Sequence, residues 1–566
     1  MTATRRDMAA HSPCSNIQSC FVRRSILLLV LLSSITFLAG LGRPAIGDSD
    51  EAFYAEAGRE MVELGDWLTP HYNYEYRFQK PILFYWLVAG SFATLGVGEA
   101  QARLWAGLAG IGLALATFAI GRRSYDGSTG LLAGAIVATT FGYFSIGRLA
   151  LPDLPLAFFI TVTILAALAG SVDEDEHATR WLLLAGVAAG CAFLTKGPVG
   201  VVVPALVVGP IWALERRRLR LTLPQAALAL LVTALVAVPW YAAMTLVHGR
   251  TYLDSFFVGD NLERFATTRF NDPRPMWFYL PITVGGMLPW TPLALAAIPP
   301  IVNWAKARRP LASRTWRMLA WAFLPLAFFT ASIGKQPRYI LPILPPLAVL
   351  LAATIVDRVR ARRGRDALLQ GPAAIVAALL GALAFLLYRA QHLVVMVPTV
   401  FIFAAIIAIA VAAVVVLAAA LAPRARVVPA AVAVAGALTL AGLQYGLSPG
   451  GRDPVQDMAT LVTTHRTLQE PIATYRVFVR NLVFYTGVKQ IDLRSDEQVV
   501  DYLHSAERVL CVIDEKNLRR LEEGAGFKTI VLGEVVYFNA SAVKLRTFLH
   551  PDERRDLERV LLVANR

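Results

Sequence analysis

With 566 residues, 56% of them hydrophobic and only 17% charged, and a mean hydropathy of +0.54, the chain carries too much apolar surface for a water-soluble fold. Its apolar residues fall in repeated runs long enough to cross a ~30 Å hydrocarbon layer, the mark of a polytopic helical membrane protein. The net charge of +14 and pI near 9.8 do not point to nucleic acid, because the bases gather in short clusters between apolar runs, as the positive-inside rule requires.

Arg23-Arg24 precede the apolar stretch Ile26 to Leu41. No small-x-small cleavage site follows it convincingly, so it reads as an uncleaved first span. The next segment, 43–100, opens on the carboxylates Asp48, Asp50 and Glu51 and later carries a basic, aromatic run ending at Lys80-Pro81. Asp50 and Glu51 begin an amphipathic helix, with Phe53, Ala57, Met61 and Leu64 on its apolar stripe and Glu56, Arg59, Glu60 and Glu63 on the other side. One or more of the three acids could simply cap that helix. Three carboxylates beside a bilayer are nevertheless more charge than a cap needs.

Further apolar runs begin near residues 82, 102, 129, 152, 181, 198, 224, 278, 316, 338, 371, 395 and 428. If 82–98 crossed the membrane, Arg122-Arg123 would lie outside and every later loop would invert. If 82–98 lies along the surface, Arg122-Arg123, Arg216 to Arg220, Lys306 to Arg309, Arg358 to Arg365, Arg424 and Arg426 all become cytoplasmic. About 16 helical residues also reach only ~24 Å, short of the membrane core. An interfacial helix is therefore expected, leaving about thirteen transmembrane helices in residues 1–447. Residues 43–100, 148–153, 196–198, 247–277, 334–338 and everything after about 448 fall outside.

From about residue 448 the composition changes. PIATYRVFV, RVLCVID and FKTIVLGEVVYF read as strands, and SDEQVVDYLHSAE and KNLRRLEEG as helices. A small periplasmic α/β domain over 448–566 is expected, without a Gly-rich phosphate loop. Cys14, Cys20, Cys191 and Cys511 are scattered and suggest neither disulfides nor a thiolate metal site.

Within the external loops, Arg148 and Asp153 flank a tight turn, where they either form a structural ion pair or face a cavity. Lys196, in Leu194-Thr195-Lys196-Gly197-Pro198, either snorkels to the interface or joins a site. Arg264 follows Asp260-Asn261-Leu262-Glu263, and Lys335-Gln336-Pro337-Arg338-Tyr339 forms a second basic run. Together with Lys80 these place single bases from separate loops at one membrane face, the depth of a lipid phosphate. Walker, HExxH and GxSxG motifs are missing, as is a His pair for zinc, which argues against a serine or zinc hydrolase and an ATP-driven pump. The spans lack the ionisable ladder of an ion-coupled transporter.

Taken in order, Asp50-Glu51, Lys80-Pro81, Leu83-Phe84-Tyr85-Trp86-Leu87, Ala102-Arg103, Gly121-Arg122-Arg123, Pro152-Asp153 and Leu194-Thr195-Lys196-Gly197-Pro198 resemble the GT-C superfamily of integral-membrane glycosyltransferases. Asn261-Leu262-Glu263-Arg264-Phe265, Pro289-Trp290 and Lys335-Gln336-Pro337-Arg338-Tyr339 bring it nearest the bacterial lipid A aminoarabinose transferases, over residues 20–450. Lys80-Pro81-Ile82 departs from relatives that carry two prolines there. The resemblance implies an undecaprenyl-phosphate-linked 4-amino-4-deoxy-L-arabinose donor, a lipid A phosphate acceptor, inversion at the sugar, and a monomeric enzyme of the bacterial inner membrane facing the periplasm. It implies catalytic roles for Asp50 and Asp153, with Glu51 beside them. Lys80, Arg264 and Tyr339 would grip the polyprenyl phosphate, supported by Lys196, Lys335 and Arg338. No cofactor is required by this reading, although a divalent metal is compatible with it. A protein O-mannosyltransferase-like enzyme and a non-enzymatic lipid flippase or binding protein are the alternatives.

Overall fold

The computed structural model describes residues 13–173, 176–263, 267, 273–308, 310–394, 397–448, 453–467, 469–538 and 545–566. Its first helices are α1 (Pro13–Phe37), α2 (Asp50–Leu64), α3 (Leu83–Leu95), α4 (Glu99–Ser124), α5 (Gly127–Thr139), α6 (Phe141–Gly147), α7 (Asp153–Ser171), α8 (Ala178–Lys196), α9 (Val199–Leu214) and α10 (Leu223–Leu253). Among the described residues, nine single helices are long and apolar enough to cross a membrane, and two sharply bent pairs bring the number to eleven. The expected thirteen adds α9, of 16 residues, and Ser313–Ala331, which carries Arg314 and Arg317 near its start.

Ion pairs sort the helix ends into two sets. At one end Arg360 meets Asp126 at 2.6 Å, and Arg317 meets Glu215 at 2.6 Å and Asp173 at 2.9 Å. These belong to the loops assigned to the cytoplasmic side by charge. At the opposite end lie Asp50, Lys80, Asp153, Lys196, Asp260 and Arg338. The α3 helix has only 13 residues, about 20 Å at 1.5 Å per residue, and both of its flanks stay at this second end. Lys80 precedes it there, and Glu99 follows it to accept hydrogen bonds from Tyr485 and Gln456 of the C-terminal region. It does not cross.

The C-terminal region folds as a five-stranded sheet. A short hairpin pairs β1 (His71–Tyr72) with β2 (Glu75–Tyr76), and the sheet comprises β3 (Ile472–Tyr475), β4 (Gln490–Leu493), β5 (Leu510–Asp514), β6 (Ile530–Tyr537) and β7 (Glu558–Ala564). The order is β4-β3-β5-β7-β6, with β3 parallel to β4 and β5, and β7 antiparallel to β5 and β6. Period-two alternation splits the buried residues between two faces. Leu510, Val512 and Leu562 pack with Val455, Met458 and Ala45, whereas Cys511, Ile513 and Leu561 pack with Val499, Leu518 and Leu521. Ala45 belongs to the loop after α1, so one face of the sheet is completed by the membrane portion.

Polar contacts strengthen that junction. The Asp48 carboxylate accepts from the backbone N–H groups of Val479 and Arg480, and Asn481 donates to Ile46 O at 2.9 Å. Asn73 exchanges two hydrogen bonds with Gln490, each 2.9 Å, and Tyr74 donates to Gly487 O at 2.8 Å. This covering changes the expected polarity of α2. Glu56 and Glu60, expected on a solvated face, are fully buried, and Leu64, expected in the apolar stripe, is exposed. Arg59 pairs with Glu56, and the Tyr74 backbone N–H donates to Glu60, which makes the burial tolerable.

Candidate active site

Four loops and helix ends converge on Arg338. It lies in the 3-10 segment Pro337–Ile343, whose irregular carbonyls are satisfied by neighbours: Tyr143 donates to Leu341 O at 2.8 Å and Trp321 to Pro342 O at 3.1 Å. Arg338 Nη2 donates to Asp50 Oδ2, and its Nε lies 3.4 Å from Asp153 Oδ2. Lys196 Nζ donates to Asp153 Oδ1 at 2.5 Å and stands 4.9 Å above the Tyr339 ring. Lys80 Nζ donates to Asp260 Oδ2 at 3.1 Å. Arg338 Nε is buried and makes no hydrogen bond among the described residues, its nearest carboxylate oxygen being Asp153 Oδ2.

Local sequence places each of these groups. Ser49 caps α2 by accepting from the Glu51 N–H, which leaves Asp50 free of that task. Asp153 and Lys196 are the first residue of α7 and the last of α8. Gly197 turns the chain with φ +78°, and a Cβ on Gly200 would lie 2.4 Å from the Ala192 carbonyl carbon. Only glycines there let α9 start hard against α8, beside the site.

These ionic groups sit at the mouth of a cavity of ≈ 410 Å³. Lys80, Asp153, Lys196, Asp260, Arg338 and Tyr339 form its polar part, and Leu156, Ile160, Val199, Val202, Phe328, Phe329 and Pro342 its apolar walls. Leu156 and Ile160 lie one and two turns along α7 from Asp153, so polarity falls with depth into the bundle. The shape and chemistry suit an anionic head on a hydrocarbon tail. Low-polarity walls also make each remaining charge act more strongly than it would in water.

Asp153 has a side chain only 3% exposed, and such an acid persists near hydrocarbon only when paired. Its partners are Lys196 and Arg338. The alternative Arg148–Asp153 pair does not form, because Arg148 instead donates to Gln444 Oε1, Thr36 O and Ala39 O. Asp50 is more open. Burial raises its carboxyl, but Arg338, helped by Arg480 and Arg77, outweighs this and holds it below the ordinary aspartate value.

Two of the expected site residues make their hydrogen bonds outside the Arg338 cluster. Glu51 is fully buried and takes Arg103 Nε at 2.7 Å, the Ala150 N–H at 2.8 Å and the Gly47 N–H at 2.9 Å. Its acceptor positions are occupied by the scaffold, so it fixes the loop before α2 against α4 and the turn before α7. Lys335 donates to Ser332 O at 2.5 Å and Arg274 O at 3.2 Å, holding the turn that presents Arg338. Arg264 lies outside the described residues. Asp260 was not selected from the sequence, although an acid four residues before a basic candidate in the same loop was its visible signal.

The donor set does not favour a resident divalent ion. Among the described residues no three ligating side chains gather, and the carboxylates of Asp50 and Asp153 already face Arg338 and Lys196.

A family model described as dolichyl-phosphate-mannose-protein mannosyltransferase matches residues 28–253. The chain is 34% identical over 374 residues to an undecaprenyl phosphate-alpha-4-amino-4-deoxy-L-arabinose arabinosyl transferase 2 of Pseudomonas fluorescens, covering 64% of this chain and 62% of that protein. It is 35% identical over 378 residues to the arabinosyl transferase of Pseudomonas aeruginosa, covering 65% and 66%. The match thus spans just under two thirds of these relatives' own length. In three dimensions it is similar to ArnT from Cupriavidus metallidurans bound to undecaprenyl phosphate, with TM-score 0.72 at 23% identity over 96% of this chain and 98% of that one. The archaeal oligosaccharyltransferase AglB from Archaeoglobus fulgidus matches with TM-score 0.53 at 12% identity, over 92% and 69%. Fold and relatives agree: the chain is a multi-pass bacterial membrane protein that shares the fold of ArnT from Cupriavidus metallidurans and is similar in sequence to the arabinosyl transferases of Pseudomonas.

Proposed function

We propose that this protein transfers 4-amino-4-deoxy-L-arabinose from undecaprenyl phosphate to a phosphate of lipid A, at the periplasmic face of the inner membrane and with inversion. The observation that carries this reading is the Asp50–Arg338–Asp153–Lys196 cluster at the mouth of an apolar-walled cavity. The polyprenyl tail lies along Leu156, Ile160 and Val202, and its phosphate meets Lys80, Lys196 and Tyr339. Arg338, which lines the cavity, turns its guanidinium charge on the departing phosphate, where positive charge lowers the barrier most. Asp50 and Asp153 hold Arg338 in place and take the sugar's ammonium group. Glu51 and Lys335 act as positioning residues through Arg103 and the 332–338 turn.

An acceptor phosphate is already anionic, so the reaction needs no strong base. A phosphate monoester oxygen attacks the anomeric carbon, the bond from that carbon to the donor phosphate oxygen breaks, and undecaprenyl phosphate leaves with the electron pair. Charge balances without a proton: monoester dianion and donor diester become acceptor diester and polyprenyl monoester. Relatives described as arabinosyl transferases support this choice. A hydroxyl acceptor, as in protein O-mannosylation, would need a carboxylate base. Asp50, held below the ordinary aspartate value, is poorly suited to that role. A flippase would need polar groups through the membrane depth.

Residues 448–566 form, in this reading, a periplasmic domain of a monomeric enzyme. Purified protein incubated with a panel of undecaprenyl-phosphate sugars and lipid A tests the reading. Mass spectrometry should find the aminoarabinosyl group on lipid A. Transfer only to a hydroxyl acceptor, or no transfer with any donor, would overturn it.

A further inference from the structure

The six paired charges at the cavity cancel: Lys80 pairs with Asp260, Lys196 with Asp153, and Arg338 with Asp153 and with Asp50, which is not part of the cavity lining. A donor carrying one phosphodiester and one ammonium is itself neutral overall, so the set matches it without surplus charge. A phosphate monoester acceptor brings close to two further negative charges. Those need positive groups outside the six.

Two arginines stand beside Asp50 and away from the cavity. Arg77, after the β1–β2 hairpin, lies 4.0 Å above the Phe53 ring, and Arg480 lies 5.4 Å from the same ring centre. Phe53 is three residues into α2 from Asp50, and both arginines pull the Asp50 carboxyl down. Among the described residues neither guanidinium has a carboxylate within 4.0 Å; the Arg77 guanidinium donates to the Tyr85 hydroxyl at 3.1 Å. The acid nearest Arg480, Asp48, is occupied by backbone N–H groups. Two cations beside one ring without a carboxylate in contact repel each other, and a bound anion relieves that.

The fold delivers Arg480 deliberately. Its loop leaves the carboxyl end of β3, and the chain runs from β3 to β4 on one side and then to β5 on the other. Ligands of such sheets bind outside the carboxyl ends of strands at this kind of reversal. Arg476 and Phe478 in the loop have φ of 62° and 52°, a left-handed backbone that non-glycine residues seldom adopt. Tyr72 OH donates to Arg480 O at 3.2 Å, and Arg480 N donates to Asp48 at 2.7 Å, so three elements fix its position.

We infer that Arg77 and Arg480 bind the phosphate monoester of the lipid acceptor on the open side of Asp50, so that the C-terminal sheet supplies part of the binding site. This rests on the transferase reading above. Asp50 then stands between two substrates: Arg338 and the donor on one side, the arginine pair and the acceptor on the other. The pair aims the acceptor oxygen at the anomeric carbon and leaves the donor cavity unchanged.

The test uses full-length protein in nanodiscs with undecaprenyl-phosphate aminoarabinose, and lipid A or dephosphorylated lipid A as acceptor. Arg480→Gln should raise the KM for lipid A about tenfold or more, the effect of losing one charge-assisted hydrogen bond. Binding of undecaprenyl phosphate should stay within about twofold, and Arg480→Lys should recover part of the loss. Arg77→Gln should act in the same direction. An unchanged lipid A KM in Arg480→Gln, or an equal loss of undecaprenyl phosphate binding, would overturn the inference while wild-type transfer still upholds the enzyme. A wild type that transfers equally well to dephosphorylated lipid A would instead overturn the phosphate-acceptor reading, and the inference with it.

Discussion

The Lys196 ammonium lies 2.5 Å from Asp153 Oδ1, joining the last residue of one membrane helix to the first of another. Both side chains are largely buried, so each is costly without its partner. Replacing either by Ala should cost about 3–5 kcal/mol of stability, as breaking a buried pair does. The double variant should lose clearly less than the sum. A thermal double-mutant cycle in detergent measures this coupling, and additive losses would show that the pair is not coupled.

Glu51 offers a contrasting case. Its carboxylate is saturated by Arg103, Ala150 and Gly47. Glu51→Gln should lower stability by about 3 kcal/mol or more. The protein that survives should bind undecaprenyl phosphate with near-wild-type affinity. Loss of turnover in a fully stable Glu51→Gln protein would instead make it a catalytic group.

Much of this arrangement was legible because charge near hydrocarbon is expensive. Asp50, Asp153, Lys196 and Arg338 each stand out in a weakly charged chain, and the alternation of arginine clusters sorted their loops to one side. What stayed hidden depends on non-local packing. Periodicity gave Glu56 and Glu60 to solvent, because nothing in α2 reveals that the hairpin and the C-terminal sheet cover that face. The strands Gln490–Leu493 and Glu558–Ala564 went unread for a related reason: the first is four residues long, and the second gains its partners from strands 20 or more positions away. Arg148 sits five residues from Asp153 yet turns to Gln444, a choice set by a helix nearly 300 positions distant.

The covered face of α2 has a pH signature. Burial and its hydrogen bond with Glu56 push Glu60 from 4.5 to about 8. At neutral pH Glu60 is therefore protonated when folded and ionised when unfolded. A raised native value means the unfolded state binds fewer protons between the two values, so stability falls as pH rises from about 4.5 to about 8 and then levels off. Thermal unfolding between pH 5 and pH 8.5 should show this decline, and Glu60→Gln should flatten it. An unchanged slope in the variant would place the effect elsewhere.

Metal removal provides a separate check. Arg338 and Lys196 already neutralise the two acids at the cavity mouth, so extensive EDTA treatment should leave transfer intact. Abolition by EDTA, with recovery on adding a divalent cation, would mean that the carboxylates rearrange around an ion.

The most direct test of the proposed transferase centre is mass spectrometry of lipid A from cells expressing Asp50→Asn or Asp153→Asn at wild-type membrane levels. Both variants weaken the hold on Arg338, and aminoarabinose on lipid A should fall to near background in Asp153→Asn and sharply in Asp50→Asn. Undiminished modification in both would contradict the assignment of this cluster as the reaction centre.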